Sequence, residues 1–283
     1  MKIAILGMGG IGSAFAFHLA RHGHDVTAIA RGKRLQQLQT TLAIVTTHGE
    51  TVPVRVAEEI DPTVAYDLVL VTVPIYQVDA VLGLLSQSAA KTIMFAFNLF
   101  EKLDRLRDAV GKQRFAFGFP AIFASLEDGK LKAQVATRGP QKTVTTDANW
   151  AQRFTEAGIP AVVSPDMESW LHTHAAFVAP FMALLLTARQ RNAGVSWAQA
   201  RLHALAMRDA MHIVKSLGYS LIPGGLGSLL QSPALVGPLL WSVTRIPSLR
   251  AQGAISVSEP RALIDAMIAA APESSSKLRQ IRP

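Results

Sequence analysis

The chain opens with a glycine-rich turn whose spacing could bind a phosphate group. Gly7-Met8-Gly9-Gly10-Ile11-Gly12 reads G-x-G-x-x-G and directly follows the apolar run from Lys2 to Leu6. In this pattern the first glycine permits a tight turn, the second lets the backbone approach a pyrophosphate, and the third lets a helix pack closely on the strand. Phosphate then lies at a helix N-terminus. We therefore predict that residues 7 to 12 bind a dinucleotide.

The residues after the turn supply the context that this motif needs. Ser13 to Arg21 is predicted to be a helix that ends at Gly23, and His24 to Ala30 is predicted to be a second strand. Strand, glycine turn, helix and strand form the nucleotide-binding unit. The alternative is a short buried strand with a glycine-rich turn and no ligand.

The end of the second predicted strand indicates which nucleotide is used. Arg31 stands where an Asp or Glu, ~20 residues beyond the glycines, would accept from the ribose 2′-hydroxyl of NAD, and Lys33 and Arg34 follow it. Asp25 lies at the wrong end of the strand, so no carboxylate is expected to compete. We predict NADP as the cofactor, with Arg31 on the 2′-phosphate. The alternative is three solvated surface cations.

Composition limits the class of protein. The length of 283 residues favours two domains, and 49% hydrophobic against 17% charged residues favours much buried helix or a subunit interface, hence a possible homodimer. No membrane span is expected, because the apolar stretch from 175 to 188 contains Pro180 and is shorter than ~20 residues. The N-terminal apolar run resembles a signal peptide, but the spaced glycines argue against one, and a cytoplasmic location is expected.

Other residue types exclude several kinds of site. The chain has no cysteine, which rules out disulfides and thiolate chemistry, and no metal site is expected. The formal charge is +8, but the 28 Lys and Arg residues are scattered and form no basic helical stripe, so no nucleic-acid partner is expected. An anionic cofactor and a small anionic substrate account for a basic surface.

The remaining pattern predicts an α/β protein with a helical C-terminal half. Apolar runs at 42–45, 52–56, 67–73 and 92–97 are predicted strands, with a helix near 78–85, which gives a Rossmann-type doubly wound parallel sheet. Residues 115–144 are predicted to form strands with a turn at Asp128-Gly129, followed by a helix at 148–157 and a strand at 161–163. We place the domain boundary at a helix start, Ser164-Pro165-Asp166, which gives domains 1–164 and 165–283.

The C-terminal half is predicted to be all-helical. Ser196 and Gln199 form a capping box for a helix that ends at Gly218, and Ser258 starts a last helix toward Ala271. Residues 223–238, rich in Gly and Pro, are predicted to be loops, and the tail from Ser274 is predicted to fray.

Taken together, several segments resemble the ketopantoate reductase (2-dehydropantoate 2-reductase) family over nearly the whole chain. They are GMGGIG, Arg31, the strand YDLVLVTV, Asn98 at the end of the next strand, and the helix opening ESWLHTHAAF. The resemblance implies a Rossmann domain, a helical domain, and reduction of a 2-keto acid by NADPH. It also implies catalytic roles for Asn98 and Glu259 and cofactor contacts at Val73, Pro74, Asn98 and Ala124.

The chain departs from the family pattern on the substrate side. His172 stands where the family has a lysine that polarises the carbonyl and supplies the proton, Ala176 stands where it has an asparagine, and Pro74 replaces a second lysine. We expect His172 to act as the general acid and the substrate to differ from ketopantoate. A substrate carboxylate would then need another cation, for which Arg245, Arg250 and Arg261 are candidates.

Each of these residues could instead have a purely structural role. His172 or His174 could be a hydrogen-bonded packing histidine, and their spacing of two on a helix prevents joint metal binding. Glu259 in a first helical turn is favoured by the helix dipole without a ligand, and Asn98 could cap a loop.

Three functions fit the sequence. The first is an NADP-dependent reductase of a small keto compound. The second is an opine-type dehydrogenase, in which a helix-borne histidine serves the reduction of an imine. The third is a catalytically inactive NADP-binding sensor, which the missing lysines would suit.

Overall fold

The computed structural model describes residues 1–137, 141–252 and 256–283, with the side chains of residues 251 and 252 left out of the description. The chain divides into two compact units. The first comprises Met1–Phe97 and Leu103–Met167, and the second comprises Asn98–Lys102 and Glu168–Pro283. The predicted domain boundary after residue 164 lies three residues before Met167, the last residue of the first unit.

The first unit is built on one large sheet with helices. Its strands are β1 (Lys2–Leu6), β2 (Asp25–Ile29), β3 (Ala43–Val45), β4 (Thr51–Pro53), β5 (Arg55–Ala57), β6 (Leu68–Val71), β7 (Ile93–Phe95), β8 (Phe115–Phe119), β9 (Ile122–Glu127), β10 (Lys130–Val135), β11 (Thr143–Thr145) and β12 (Ala161–Val163). Its helices are α1 (Gly10–Arg21), α2 (Gly32–Thr41), α3 (Ile75–Gln87), α4 (Asp104–Val110) and α5 (Ala148–Glu156).

The sheet order is β12-β11-β8-β7-β6-β1-β2-β5. Pairing is parallel from β5 to β8, β11 runs antiparallel to β8, and β12 is again parallel to β11. The predicted doubly wound sheet is thereby confirmed as mostly parallel. The central strands β1 and β6 are buried almost throughout, as continuous apolar runs predict. The carboxyl ends of β1, β2, β5 and β6 therefore meet at one edge of the sheet.

Two hairpins stand apart from this sheet. The strand predicted over 52–56 is wrong as one element, because the chain bends at Val54, whose N–H bonds to the carbonyl of Leu42 instead of continuing a strand. Residues 51–53 pair with β3, whereas residues 55–57 join the main sheet beside β2. The predicted turn at Asp128-Gly129 is confirmed and joins β9 to β10.

The regular secondary structure of the second unit consists of helices among its described residues, as predicted. Its α-helices are α6 (Met167–Gln190), α7 (Trp197–Ser216), α8 (Gly224–Leu230), α9 (Pro233–Val243), α10 (Pro247–Gln252), α11 (Ser258–Ala270) and α12 (Ser276–Ile281), with a 3₁₀ turn at Pro272–Ser274. The capping box of α7 is present in full, since Ser196 and Gln199 each accept the other's backbone N–H. Small and apolar side chains of α6 and α7 form the core.

Three local expectations are wrong. Residues 223–238 are not loops, because α8 and α9 bury Leu230, Val236 and Leu240 and so gain more from packing than Gly and Pro lose as helix breakers. Pro233 lies in the first turn, where its missing N–H costs nothing. The tail does not fray, because Leu278 and Ile281 are buried against the same core. Helix α6 begins at Met167 rather than at Ser164-Pro165, since the N–H of Ser164 still bonds back to Thr145.

Helix α6 is long and apolar enough to cross a membrane by length and composition, and α8 with α9 would qualify as one bent pair. Two-thirds of the relevant α6 window is buried inside the protein. A buried core helix passes the same test, and packing accounts for its apolar character.

Candidate active site

The glycine turn joins β1 to α1, and its glycines are required by close backbone contacts. Gly7 has φ of 104°, which favours glycine. A Cβ on Gly12 would lie 2.1 Å from the carbonyl oxygen of Gly7, so only glycine lets α1 start this close to the strand. A Cβ on Gly9 would meet nothing within 4 Å. The turn is therefore tight on its inner side and open at Gly9.

A cavity of about 670 Å³ lies beside this turn. Of the predicted cofactor residues, Gly7, Met8, Gly9, Arg31, Val73 and Pro74 line it. The others lie elsewhere: Gly10, Ile11 and Gly12 form the first turn of α1, and the carbonyl of Ala124 on β9 packs against Gly10. The volume falls in the range of about 300–1,000 Å³ that small-molecule sites occupy.

Arg31 follows β2 and lies at the wall of this cavity, but it is not alone there. Its Nη2 is 3.8 Å from Oε1 of Glu59, and Glu58 and Glu59 also line the cavity. The expectation that no carboxylate competes for Arg31 is therefore wrong. These carboxylates follow β5, which pairs with β2 and was not recognised as a member of the main sheet. Asp25, at the other end of β2, is paired with Arg55.

Arg34 has a structural role. It donates from Nε to the carbonyl of Met8 at 3.1 Å, from Nη1 to the carbonyl of Gly129 at 2.8 Å, and from Nη2 to the hydroxyl of Ser13 at 3.0 Å. Burial lowers the pKa of Arg34, as is expected for a desolvated cation. Its guanidinium thus connects the glycine turn, helix α1 and the β9–β10 turn.

Within the second unit, Asn98 and Glu259 are brought together from residues far apart in the sequence. The Asn98 amide nitrogen donates to Glu259 Oε1 at 2.8 Å, so the orientation of the amide is set by the carboxylate, which accepts. The other amide atom, Oδ1 of Asn98, is buried and has no hydrogen-bond partner among the described residues. A buried carbonyl oxygen in this position is suited to accept a bond from a ligand.

His172 lies on α6 and is 2% exposed. Its Nδ1 is 2.8 Å from the carbonyl oxygen of Glu168, one turn earlier, and a carbonyl can only accept, so Nδ1 carries a proton. The imidazole stacks on the ring of Tyr219 at 3.9 Å between centroids, with Phe100 at 4.7 Å. These contacts fix the position of the imidazole ring.

The residue that stacks on His172 is itself held by α6. The Ser169 hydroxyl accepts from the N–H of Ser220 at 3.1 Å, and the Thr173 hydroxyl accepts from the N–H of Ile222 at 3.1 Å. Both hydroxyls belong to residues that are almost fully buried. Two polar side chains of α6 thereby fasten the loop that carries Tyr219.

His174 is a poor candidate for an acid at neutral pH. Its ring stacks on Trp170 with centroids 4.9 Å apart and planes only 6° from parallel. Burial lowers its pKa from 6.5 to about 4, so the ring is neutral in the folded protein near pH 7.

The three arginines considered as partners for a substrate carboxylate donate to backbone carbonyls. Arg245 donates to Trp241 at 2.5 Å and lies over its ring, Arg250 donates to Thr244 and Arg245, and Arg261 donates to Pro283. Across the described ranges no cluster of His, Asp and Glu could hold a metal ion.

Sequence reasoning missed Glu59 and Tyr219. The signal for Glu59 was the short strand Arg55–Ala57, whose pairing with β2 brings the following residues to the cofactor edge. The signal for Tyr219 was its position directly after the helix-ending Gly218, in a loop that must pack on a neighbouring helix.

Comparison with known proteins shows which family the chain is similar to. The family described as ketopantoate reductase PanE/ApbA matches residues 3–150. A 2-dehydropantoate 2-reductase from Vibrio cholerae is 31% identical over 135 residues, which cover 47% of this chain and 42% of the relative's length.

Solved structures share the fold over the whole length. A PanE/ApbA family ketopantoate reductase from Ralstonia eutropha JMP134 has a TM-score of 0.76 at 22% identity, covering 100% of this chain and 96% of that one. A D-mandelate dehydrogenase in complex with NADH and anilino(oxo)acetate has a TM-score of 0.74 at 16% identity, with the same coverage. Because the family match spans more than half of the sequence, the chain belongs to the ketopantoate reductase PanE/ApbA family.

Proposed function

We propose that this protein is an NADP-dependent reductase of a small 2-keto acid other than ketopantoate, with His172 as the general acid. The observation that carries the proposal is the fixed imidazole, held through Nδ1 by the Glu168 carbonyl and stacked on Tyr219. The resemblance to the family implies that His172 stands where the family has its lysine. A group that is so constrained suits proton transfer, which requires a fixed geometry.

The residues of the first unit fit a dinucleotide. The open side of the turn at Gly9 leaves room for a pyrophosphate, and α1 begins at Gly10 without an acidic residue in its first turn, so its N-terminus suits an anion. Arg31 at the cavity wall would bind the 2′-phosphate of NADP. When bound, the nicotinamide supplies the hydride.

The residues of the second unit would manage the proton and orient the substrate. His172 gives the proton on Nε2 to the oxygen that was the keto group, and Nδ1 stays on the Glu168 carbonyl throughout. Asn98 offers its unpaired Oδ1 as an acceptor, and Glu259 holds the amide in that orientation.

The substrate is proposed to differ from ketopantoate because His172 and Pro74 stand where the resemblance implies two lysines of the family. A histidine is charged for only part of the time near pH 7, so it anchors a carboxylate less firmly than lysine does. The fold is also that of a D-mandelate dehydrogenase, so the architecture serves other 2-hydroxy acids.

The test is oxidation of NADPH with a panel of 2-keto acids that includes ketopantoate, benzoylformate and aliphatic analogues, each with and without an added amine. Turnover of a keto acid alone, with ketopantoate a poor substrate, supports the proposal. Turnover that requires the amine would indicate an opine-type dehydrogenase. Tight NADPH binding without turnover would indicate a sensor.

We also propose a homodimer that forms through α9. Leu235 and Leu239 lie one turn apart on this helix and are 62% and 54% exposed, and residues 216–244 contain no Asp, Glu, Lys, Arg or His. Interface cores are depleted in charge in the same way. Light scattering should give a dimer for the unsubstituted chain and for L42D, which changes an exposed leucine of the first unit, but a monomer for L235D/L239D. A dimer that survives L235D/L239D, or a monomeric unsubstituted chain, would refute this.

A further inference from the structure

The edge of the sheet where a nucleotide ribose would bind carries charges of both signs. Strand β5 pairs in parallel with β2, with Ile29 opposite Ala57, and the N–H of Ala30 donates to the carbonyl of Ala57 at 3.1 Å. The residues that follow the two strands are therefore neighbours. Arg31 follows β2, Glu58 and Glu59 follow β5, and all three line the same cavity.

Only one of the two arginines that line this cavity is available to a ligand. Arg34 uses three guanidinium nitrogens for Met8, Gly129 and Ser13, and these bonds are internal to the fold. The Arg31 side chain is 58% exposed, and its contact with Glu59 is long at 3.8 Å. Arg31 can therefore turn to a ligand, but only in competition with a carboxylate.

We propose that Glu59 weakens the preference for NADPH by competing with the 2′-phosphate for Arg31, so that the chain accepts NADH as well as NADPH. A 2′-phosphate brings close to two negative charges to a place where Glu58 and Glu59 already stand. An NADH ribose brings a 2′-hydroxyl, which can donate to a carboxylate. Glu59 therefore disfavours the binding of NADPH and favours the binding of NADH.

The proposal rests on the proposed binding of a nicotinamide dinucleotide, and it is tested on nucleotide affinity rather than on turnover. The variant is E59Q, which keeps the size of the side chain and removes its charge. The matched control is E50Q, because Glu50 also pairs with an exposed arginine, Arg21 at 3.1 Å, and does not line the cavity. Both variants change the net charge equally, so a general effect of charge appears in both.

Dissociation constants for NADPH and NADH are measured by fluorescence titration at low and at high salt. We expect E59Q to tighten NADPH binding about fivefold and to change NADH binding less than about twofold, because fivefold corresponds to about 1 kcal/mol, the upper value for an exposed pair of charges. The gain should shrink at high salt. In an R31A background E59Q should gain much less, because the competition is for Arg31.

The outcomes separate the two proposals. An unchanged NADPH-to-NADH affinity ratio in E59Q, or the same change in E50Q, overturns the role of Glu59 and leaves the proposed function standing. Failure of the unsubstituted chain to bind either nucleotide overturns the proposed function and this inference with it. Thermal unfolding of each variant shows that the fold is retained, as expected for exposed side chains.

Discussion

Replacement of His172 by asparagine separates the chemistry of the imidazole from its structural role. The asparagine amide nitrogen can occupy the place of Nδ1 and donate to the Glu168 carbonyl, now 2.8 Å from Nδ1, but it cannot exchange a proton. Loss of a general acid lowers turnover about 10²- to 10⁴-fold. Loss of the outer half of the ring removes the contact with Tyr219 and should cost about 1–2 kcal/mol of stability.

His203 supplies a matched control on the neighbouring helix α7. Its Nδ1 is 2.9 Å from the carbonyl of Gln199, also one turn earlier, and the residue is 4% exposed, so its local geometry repeats that of His172. H203N should lower the unfolding temperature as H172N does and leave turnover unchanged. The assay is steady-state reduction of the best keto acid, with NADPH affinity and thermal unfolding measured on the same samples. If H172N keeps more than about a tenth of the turnover number, or if H203N loses as much as H172N, the assignment of His172 as the acid is refuted.

Two further predictions concern stability. G12A should lower the free energy of unfolding by more than about 2 kcal/mol and abolish nucleotide binding, because its Cβ would meet the Gly7 carbonyl. The control G83A, where a Cβ meets nothing within 4 Å, should be neutral or stabilising. Urea denaturation measures the stability of both variants, and a stable G12A would contradict the packing argument. Burial lowers the pKa of His174 to about 4, so between about pH 6.5 and pH 4 the unfolded state binds more protons than the folded state. The free energy of unfolding should therefore decrease as the pH is lowered through this range, by up to about 2 kcal/mol from pH 7.5 to pH 5. This is an upper value because the residue keeps some solvent contact. H174F should flatten that dependence in denaturation at several pH values, and an equal slope in H174F would contradict it.

The parts of the fold that were predictable from sequence are those that depend on local backbone geometry. The glycine turn, the capping box at Ser196 and the helix stop at Gly218 each require particular residue types at fixed spacing, and all three are present in the structure. Helices α8 and α9 were not predictable in this way. Their residues disfavour helix locally, and it is the burial of side chains such as Leu230 and Leu240 that makes them helical.

The same contrast holds for the candidate site. Arg31 was predicted from its place after the second strand, and His172 was predicted from the resemblance of ESWLHTHAAF to the family's helix. The contacts that modify them come from residues distant in sequence: Glu59 reaches Arg31 only because β5 joins the edge of the sheet, and Tyr219 reaches His172 only because the loop after α7 is fastened to α6. Pairings of this kind are set by tertiary packing, which a single sequence does not display.

The fixed Nδ1 proton on His172 leads to a prediction about the direction of the reaction. With Nδ1 committed to the Glu168 carbonyl, the neutral ring presents Nε2 as an acceptor, which suits removal of the hydroxyl proton in oxidation, whereas reduction needs the doubly protonated ring. Because reduction consumes one proton, the ratio of kcat/KM for the two directions must change about tenfold per pH unit at every pH. If His172 is the acid, the kcat/KM for oxidation carries this pH dependence below the pKa of His172, and the kcat/KM for reduction carries it above that pKa.

The two profiles of kcat/KM against pH should therefore bend at the same pH. As the pH increases, the kcat/KM for oxidation should rise to a plateau, and the kcat/KM for reduction should decrease from a plateau. In H172N the shared bend should disappear while the ratio keeps its tenfold dependence, because the ratio is fixed by the overall reaction. A shared bend that persists in H172N would assign the proton to another group.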